Sequence, residues 1–179
     1  MRRVNVVGVS GSGKTTTAVA IADRLGVPYI ELDGIFHQPG WTSLDDEEFA
    51  RRVATATSGD GWVVDGNYSR IRDVVWSRAD TVVVLDLPRW RVMSQLLART
   101  LRRGVTGEAL WAGNRESLRN LIRREPERNI LLWSWTNHAR NRARYRAAPA
   151  DPRWAHLRFL RACSRREIRQ LILALPAAR

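Results

Sequence analysis

The sequence predicts a single α/β domain with a parallel β-sheet that is covered by helices on both faces. Two observations carry this prediction. Five apolar, strand-like segments alternate with helical patterns along the chain, which is typical of a parallel sheet. The 179 residues are enough for one such domain and few for two. Because we find no internal repeat and no low-complexity linker, residues 1–179 are predicted to form one domain.

The strands are predicted from short apolar runs that end at polar or turn-forming residues. These runs are 4–9, 29–32, 62–64, 81–85 and 157–160. Helices are predicted from apolar residues at helical spacing, with Ser43 as the cap of one helix and a Ser164–Glu167 capping box at the start of the last. The predicted apolar faces are Ala18, Ile21, Ala22 and Leu25; Phe49, Val53 and Ala56; Trp90, Met93, Leu97 and Leu101; and Ile168, Leu171, Ile172 and Leu175.

Several classes of protein are excluded by composition and pattern. Uncharged stretches are far shorter than the roughly 18 apolar residues of a membrane span, and the N-terminus lacks the apolar run of a secretory signal. We therefore expect a cytoplasmic protein with no membrane partner. The single cysteine, Cys163, excludes an internal disulfide and a cysteine-built metal site. His138 and His156 have no partner at ligand spacing, so no transition-metal site is predicted.

The most specific motif lies at residues 8–15, which read Gly-Val-Ser-Gly-Ser-Gly-Lys-Thr and match G-x-x-x-x-G-K-[ST] between a strand and a helix. In such a P-loop, backbone N–H groups surround phosphate, the lysine reaches the β- and γ-phosphates, and the hydroxyl binds magnesium. We predict that ATP is bound here, with Thr15 as a Mg²⁺ ligand. The predicted nucleotide-binding residues are Gly8, Ser10, Gly11, Ser12, Gly13, Lys14, Thr15 and Thr16.

Three aspartates stand at the carboxyl ends of predicted strands, where open parallel sheets bind ligands. Asp65 is predicted to order the magnesium ion and its waters, and Asp33 to serve as a base or an anchor for the acceptor. Asp86 is the third candidate, because the run before it also looks like a Walker B strand.

Charge is distributed unevenly along the chain. Residues 1–88 carry a formal charge of −3 and residues 89–179 carry +15, almost entirely as arginine. A basic half of this kind predicts an anionic partner, either a phosphate-rich small ligand or nucleic acid. Trp111, Trp133 and Trp135 lie among these arginines, a pattern that fits single-strand binding as well as lid helices that pack on a core.

The order GVSGSGKT, ELDGIFHQPGW, WVVDGNYSR and TVVVLDLPRW resembles the adenylate-kinase-like P-loop kinases of bacteria over about residues 4–103. Within them it is most similar to the group labelled DNA-topology-modulation proteins. The resemblance implies the three-layer P-loop NTPase fold of nucleoside and nucleotide kinases, with strand order 2-3-1-4-5. It also implies an acceptor-binding segment at 33–60 and an arginine-rich helical lid at about 104–150. By this resemblance Asp65 takes the magnesium position and Asp86 is secondary.

The resemblance has one departure, which concerns the acceptor. Nucleoside-monophosphate kinases bind the acceptor phosphate with an arginine just after D-G-F-P, whereas this chain has Asp65-Gly66-Asn67-Tyr68-Ser69-Arg70. The arginine is displaced by one residue, which argues against an AMP-like acceptor. The predicted acceptor-binding residues are Asp33, His37, Trp41, Asn67, Tyr68 and Arg70, although His37 fits equally well as a loop residue packed on Trp41.

The leading hypothesis is an ATP- and Mg²⁺-dependent kinase of a small molecule, with a nucleoside or nucleotide as one candidate acceptor. Lys14, Asp33, Arg99 and Arg103 are its predicted catalytic residues, and at least one of Arg99, Arg103, Arg115 and Arg119 is expected to act on the transition state from a lid hinged at Gly104 and Gly107. The alternative is a nucleic-acid-binding P-loop ATPase. A GTPase is excluded because N-K-x-D needs a lysine, and Lys14 is the only one in the chain.

Overall fold

Five parallel strands form one sheet in the part of the chain that the structure, a computed structural model, describes: residues 1–114 and 129–177. The strands are β1 (Arg3–Gly8), β2 (Tyr29–Glu31), β3 (Trp62–Asp65), β4 (Thr81–Leu85) and β5 (Arg158–Ala162). Their order is β2-β3-β1-β4-β5, and every neighbouring pair is parallel. The predicted sheet and strand order are confirmed, although β5 begins and ends later than the apolar run indicated.

Seven α-helices connect and cover the strands within the same described ranges. They are α1 (Lys14–Leu25), α2 (Leu32–Phe36), α3 (Asp46–Ala56), α4 (Arg72–Trp76), α5 (Arg89–Thr106), α6 (Ile130–Ala147) and α7 (Arg165–Ala174). One face of the sheet packs against α1 and α7, and the other packs against α3, α4 and the end of α6. The described chain therefore has the three layers that the sequence predicts.

Helix α3 begins two residues later than predicted. Ser43 forms an isolated antiparallel bridge with His37, so its backbone is extended there. The side chain of Asp45 caps α3 instead, by accepting a hydrogen bond from the Glu48 N–H at 2.8 Å. Ser164 caps α7 as predicted, because its hydroxyl accepts from the Glu167 N–H, and the Glu167 carboxylate accepts in return from the N–H of Cys163, one residue before the cap.

Helix α5 buries a different face from the predicted one. Val92, Leu96 and Thr100 are buried, whereas Trp90 is 67% exposed. Leu97 and Leu101 are also exposed. The buried face is the one that meets the P-loop, because a Cβ atom on Gly11 would lie 2.7 Å from the Val92 carbonyl oxygen and 2.8 Å from Leu96 Cβ.

The lid predicted at about 104–150 is only partly described. Gly104 lies inside α5 and not in a hinge, and Gly107 ends that helix with a left-handed φ of 61°. Arg115 and Arg119 lie outside the described residues. Helix α6 contacts the P-loop, because the Ser134 hydroxyl donates a hydrogen bond to the Ser10 carbonyl oxygen at 3.2 Å.

None of the helices in the described ranges has the length and apolar character that crossing a bilayer requires.

Candidate active site

The P-loop connects β1 to α1 through backbone conformations that favour glycine. Gly11 and Gly13 have φ angles of 84° and 87°, in the left-handed region. Gly13 directly precedes α1, and its carbonyl oxygen accepts the Thr17 N–H at 3.0 Å. Side chains other than glycine are strained at both positions. The loop therefore turns tightly and leads into the amino-terminal end of a helix, where backbone dipoles favour an anion.

Lys14 is held at this end by the loop itself. Its Nζ donates a hydrogen bond to the Val9 carbonyl oxygen at 3.3 Å. Burial lowers the pKa of Lys14, while the carboxylates of Asp65 and Asp33 oppose that shift and the guanidinium of Arg99 adds to it. The lysine, both predicted carboxylates and one predicted lid arginine are therefore close enough to interact electrostatically.

Asp65 lies at the end of β3 and contacts the P-loop threonine. The Thr15 hydroxyl donates to Asp65 Oδ2 at 2.6 Å, and the Tyr29 hydroxyl donates to the same oxygen at 3.3 Å. The carboxylate is only 4% exposed, and burial raises its pKa in spite of the opposing charge of Lys14. Its other oxygen, Oδ1, is buried with no hydrogen-bond partner among the described residues.

This arrangement fits the magnesium ion that a P-loop implies. Mg²⁺ uses oxygen ligands, and in nucleotide sites it takes one or two protein ligands and completes its shell with phosphates and water. Thr15 Oγ1 and the carboxylate of Asp65 are oxygens of this kind in direct contact. The part of the chain that the structure describes holds no cluster of three or more His, Cys, Asp or Glu residues that would bind a metal without a nucleotide.

The carboxylate of Asp86, the other metal candidate, is surrounded by arginines. Arg142 Nε lies 2.7 Å from Oδ1, while a terminal nitrogen of Arg146 and Nε of Arg161 lie 3.4 and 3.3 Å from Oδ2. Asp86, which directly follows β4, is therefore linked to α6 through both oxygens and to β5 through Oδ2. The strand-end aspartate that contacts Thr15 is Asp65.

Asp33 lies in the first turn of α2, just after β2 ends. The Tyr68 hydroxyl donates a hydrogen bond of 2.5 Å to Asp33 Oδ1. Burial raises the pKa of Tyr68, and the adjacent Asp33 adds to that shift, so the phenol stays protonated and acts as a donor. Tyr68 and Asp33, two of the predicted acceptor-binding residues, are thus brought together.

The other predicted acceptor-binding residues have different surroundings. His37 packs edge-on against Trp41, with ring centroids 5.3 Å apart. Burial lowers the pKa of His37, and the negative charge of Asp33 opposes that shift. Asn67 and Tyr145 of α6 line the same small cavity. Arg70 is paired with Asp46 at the start of α3, and its guanidinium lies over the Phe36 ring. His37 and Trp41 therefore lie near Asp33, whereas Asn67 lies beside α6 and Arg70 is linked to α3.

Three residues near the site were not predicted from the sequence. The Tyr29 hydroxyl donates a hydrogen bond to Asp65. Glu31 is half-buried at the end of β2, where burial raises its pKa and the charges of Asp65 and Asp33 add to that shift. Glu31 could have been found, because it stands two residues before Asp33 at the same strand end. The Trp111 ring and the Glu31 carboxylate lie on the same side of Gly34, 3.1 and 3.9 Å from where a Cβ atom on that glycine would be. Trp111 and Glu31 are 80 positions apart in the sequence, and no spacing rule indicates that they are neighbours.

Comparison of the sequence with known proteins shows which family the chain belongs to. A shikimate kinase from Ruegeria pomeroyi is 30% identical over 133 residues, which are 62% of this chain and 68% of that protein. The chain belongs to the family of shikimate-kinase-like P-loop kinases. It is therefore an enzyme of the P-loop kinase class. No protein-family model matches the chain.

Solved structures show the fold of this kinase in other proteins. A shikimate kinase from Bacteroides thetaiotaomicron matches with a TM-score of 0.57 and 16% identity, covering 96% of this chain and 94% of that one. A gluconokinase from Sinorhizobium meliloti 1021 matches with 0.53 and 18%, covering 96% and 87%. A shikimate kinase from Acinetobacter baumannii in complex with shikimate matches with 0.51 and 18%, covering 97% and 89%. These matches confirm the kinase fold and do not support the narrower DNA-topology-modulation group.

Proposed function

We propose that this kinase transfers the γ-phosphoryl group of ATP to a hydroxyl group of a small molecule. The observation that carries the proposal is the convergence of four predicted residues from three separate segments at one edge of the sheet. Lys14 and Thr15 come from the P-loop, Asp65 from β3, and Asp33 from the segment after β2. Relatives named as shikimate kinases and a gluconokinase-like fold support a small acceptor.

The donor side of the site is formed by the P-loop. Its backbone N–H groups and the amino-terminal end of α1 bind the triphosphate, and Lys14 offsets charge on the transferred group. Thr15 and Asp65 are the residues that would hold Mg²⁺, which supplies further charge neutralisation when bound. Arg99 lies close enough to Lys14 to shift its pKa, so it is placed to act on the same charge.

The acceptor side is formed around Asp33. In the proposed reaction its carboxylate accepts a hydrogen bond from the acceptor hydroxyl and receives the proton as the new oxygen–phosphorus bond forms and the bond from the γ-phosphorus to the bridging oxygen of ADP breaks. Tyr68 fixes the carboxylate through the hydrogen bond to Oδ1. Since phosphoryl transfer asks mainly for positioning and charge neutralisation, a fixed carboxylate is sufficient here.

A nucleic-acid-binding ATPase is supported less well by the arginines that the structure describes. Arg142, Arg146 and Arg161 are paired with Asp86, and Arg70 is paired with Asp46. These side chains stabilise contacts within the chain, which reduces the charge available to a polyanion. The narrower resemblance to the DNA-topology-modulation group stays a prediction and does not alter the proposed reaction.

An acceptor screen tests the proposal. ADP release from ATP is measured with nucleosides, nucleoside monophosphates, sugars and small alcohols, and is compared with the basal rate. At least one hydroxyl compound is expected to stimulate ADP release and to be recovered phosphorylated. Asp33→Asn is expected to lower this stimulated rate and to leave the basal rate unchanged. Stimulation by random oligonucleotides alone, with binding that weakens steeply as salt is raised, would favour the ATPase instead.

A further inference from the structure

Helix α6 buries a largely polar face against the edge of the sheet where the P-loop lies. The side chains buried on this face are Ser134, His138, Asn141 and Tyr145. Ser134 is 0% exposed, and its hydroxyl donates a hydrogen bond to the Ser10 carbonyl oxygen at 3.2 Å. One turn later, His138 Nε2 lies 3.2 Å from the Leu87 carbonyl oxygen. This face of the helix therefore contacts backbone carbonyl groups, and the group that Ser134 contacts belongs to the P-loop.

The hydrogen bond of Ser134 differs from the one that a helical hydroxyl usually makes. Serine and threonine inside a helix commonly donate to the carbonyl oxygen four residues earlier. Thr136 on the same helix does so, with its hydroxyl 3.0 Å from the Leu132 carbonyl oxygen. The Ser134 hydroxyl instead donates to a residue 124 positions away in the sequence. Its buried donor is therefore satisfied by the P-loop and not by its own helix.

The Ser10 carbonyl group lies at the centre of a tight turn. The Ser12 N–H donates to the Val9 carbonyl oxygen at 3.1 Å, so residues 9–12 form a β-turn. Gly11, at the third position, has a φ of 84°, which is the mark of a type II turn. Types I and II differ in the orientation of the central peptide, here Ser10–Gly11, and glycine at the third position is compatible with both. The hydrogen bond from Ser134 therefore favours one of two orientations of this peptide.

The orientation of this peptide determines what the P-loop presents to an anion. In a planar trans peptide the C=O and the following N–H point in opposite directions. Because the Ser10 carbonyl group points to α6, the Gly11 N–H points away from that helix. The Val9 carbonyl oxygen also accepts from Lys14 Nζ, at 3.3 Å. Two carbonyl groups of the loop are thus directed to donors of the protein, which is the arrangement that an anion site built from backbone N–H groups requires.

We propose that Ser134 is a positioning residue for the triphosphate of ATP, because it holds the Ser10–Gly11 peptide in the orientation that directs the Gly11 N–H to phosphate oxygens. In the flipped peptide the Ser10 carbonyl oxygen would take the place of that N–H and repel the anion. The inference rests on the proposed kinase function only through the binding of ATP by the P-loop, and the identity of the acceptor does not enter it. Helix α6 thereby gives the donor site a residue that lies outside the P-loop motif.

Calorimetric titration of the full chain with ADP and with inorganic triphosphate, both in Mg²⁺, tests the inference. Ser134→Ala removes the hydroxyl and is expected to raise the Kd of both ligands roughly threefold to tenfold, the scale of one hydrogen bond. Thr136→Ala is the matched control, because it removes a hydroxyl of the same helix that donates within the helix. It is expected to leave both Kd values unchanged, and melting temperatures show that both variants are folded.

The possible failures of this experiment are distinguishable. Equal Kd values for wild type and Ser134→Ala would overturn the inference and leave the kinase function intact. Weaker binding of ADP with unchanged binding of triphosphate would also overturn it, because the effect would then lie at the nucleoside. A wild-type protein that binds neither ligand would overturn the ATP-binding role of the P-loop, and the proposed function with it.

Nuclear magnetic resonance detects the peptide orientation without any ligand. Carbonyl-¹³C serine and ¹⁵N-glycine, introduced by cell-free synthesis, select the Ser–Gly peptides of the chain, which are Ser10–Gly11, Ser12–Gly13 and Ser58–Gly59. In Ser134→Ala the Ser10–Gly11 signal is expected to shift or broaden, whereas the signal of the exposed Ser58–Gly59 peptide stays in place. An unchanged Ser10–Gly11 signal in the folded variant would show that Ser134 does not position the P-loop.

Discussion

Replacing Asp65 with asparagine tests the metal site, because the structure predicts opposite effects on the free and the nucleotide-bound protein. In the free protein, burial raises the pKa of Asp65 above its ordinary value of 3.8. The carboxyl therefore binds a proton more tightly when folded than when unfolded, and its contribution to stability falls as pH rises through that window. Asparagine carries no charge and avoids this loss, so Asp65→Asn is expected to match or exceed the wild-type melting temperature at pH 7.5.

The stabilisation by nucleotide is expected to change in the other direction. Loss of a residue that orients a metal ion typically costs 10- to 100-fold in metal affinity, or about 1.4–2.7 kcal/mol. For a chain of this length, about 1 kcal/mol corresponds to roughly 2–4 °C. The increase in melting temperature caused by Mg²⁺ with a non-hydrolysable ATP analogue should therefore be about 3–10 °C smaller in Asp65→Asn than in the wild type.

Asp86→Asn is the matched control, because Asp86 is also a buried aspartate at the end of a strand. Its carboxylate is paired with three arginines whose side chains are 40–48% exposed. Removing it takes the shared carboxylate away from all three cations, which is expected to cost about 1–3 kcal/mol, between the values for exposed and buried ion pairs. This variant should melt at a lower temperature than the wild type and keep the full response to Mg²⁺ and nucleotide.

Differential scanning fluorimetry at pH 7.5 and pH 5, with and without Mg²⁺ and the analogue, measures all of these effects. The free Asp65→Asn protein is expected to gain more, relative to the wild type, at the higher pH. If Asp86→Asn lost the magnesium response and Asp65→Asn kept it, the assignment of the metal position would be wrong.

Three further predictions concern the donor side of the site. Lys14→Ala should abolish phosphoryl transfer with a melting temperature close to that of the wild type, because the ammonium faces the phosphate site and its burial opposes its charge; steady-state turnover and calorimetry check this. Arg99→Ala should lower kcat roughly 100-fold, the scale of one strong electrostatic donor, with little change in the KM for ATP, because Arg99 acts on Lys14. Arg103→Ala should lower kcat less, because Arg103 acts on Glu31 and lies beside Glu108. Gly11→Ala should cost about 2–5 kcal/mol from left-handed strain and overlap with α5, whereas Gly13→Ala, with no atom near the added methyl, should cost only about 1–2 kcal/mol; denaturant unfolding of the two variants separates overlap from strain.

The sequence was sufficient for the sheet, the P-loop and the strand-end carboxylates, because each depends on local pattern. Apolar runs, glycine spacing and the position of an aspartate after a strand are all properties of a few consecutive residues. Asp33, Asp65 and Lys14 follow from such rules, since the carboxyl ends of parallel strands meet at one edge. The sequence already preferred Asp65 over Asp86 for the magnesium position, but it could not show that three arginines surround the Asp86 carboxylate.

The errors arose where packing with a distant segment decides the outcome. Helix α5 was expected to bury Leu97 and Leu101, yet the close approach of Gly11 brings Val92 and Leu96 to the interior. The sequence placed Trp111 among arginines of the predicted lid, and the structure adds that its ring contacts His37 and Trp41 of the predicted acceptor segment. Neither contact has a signature in the sequence near the residue concerned.

The most direct test of the central claim is to follow the γ-phosphoryl group itself. Wild-type enzyme and Asp33→Asn are mixed with Mg²⁺ and ATP labelled in the γ-phosphate, together with a panel of nucleosides and cyclic polyols, and the label is traced by mass spectrometry over a single turnover. The account predicts that the wild type yields ADP and a phosphorylated hydroxyl compound in equal amounts, and that Asp33→Asn binds ATP equally well but transfers the label much more slowly. Label recovered only as free phosphate, at the same rate in both proteins, would contradict the account.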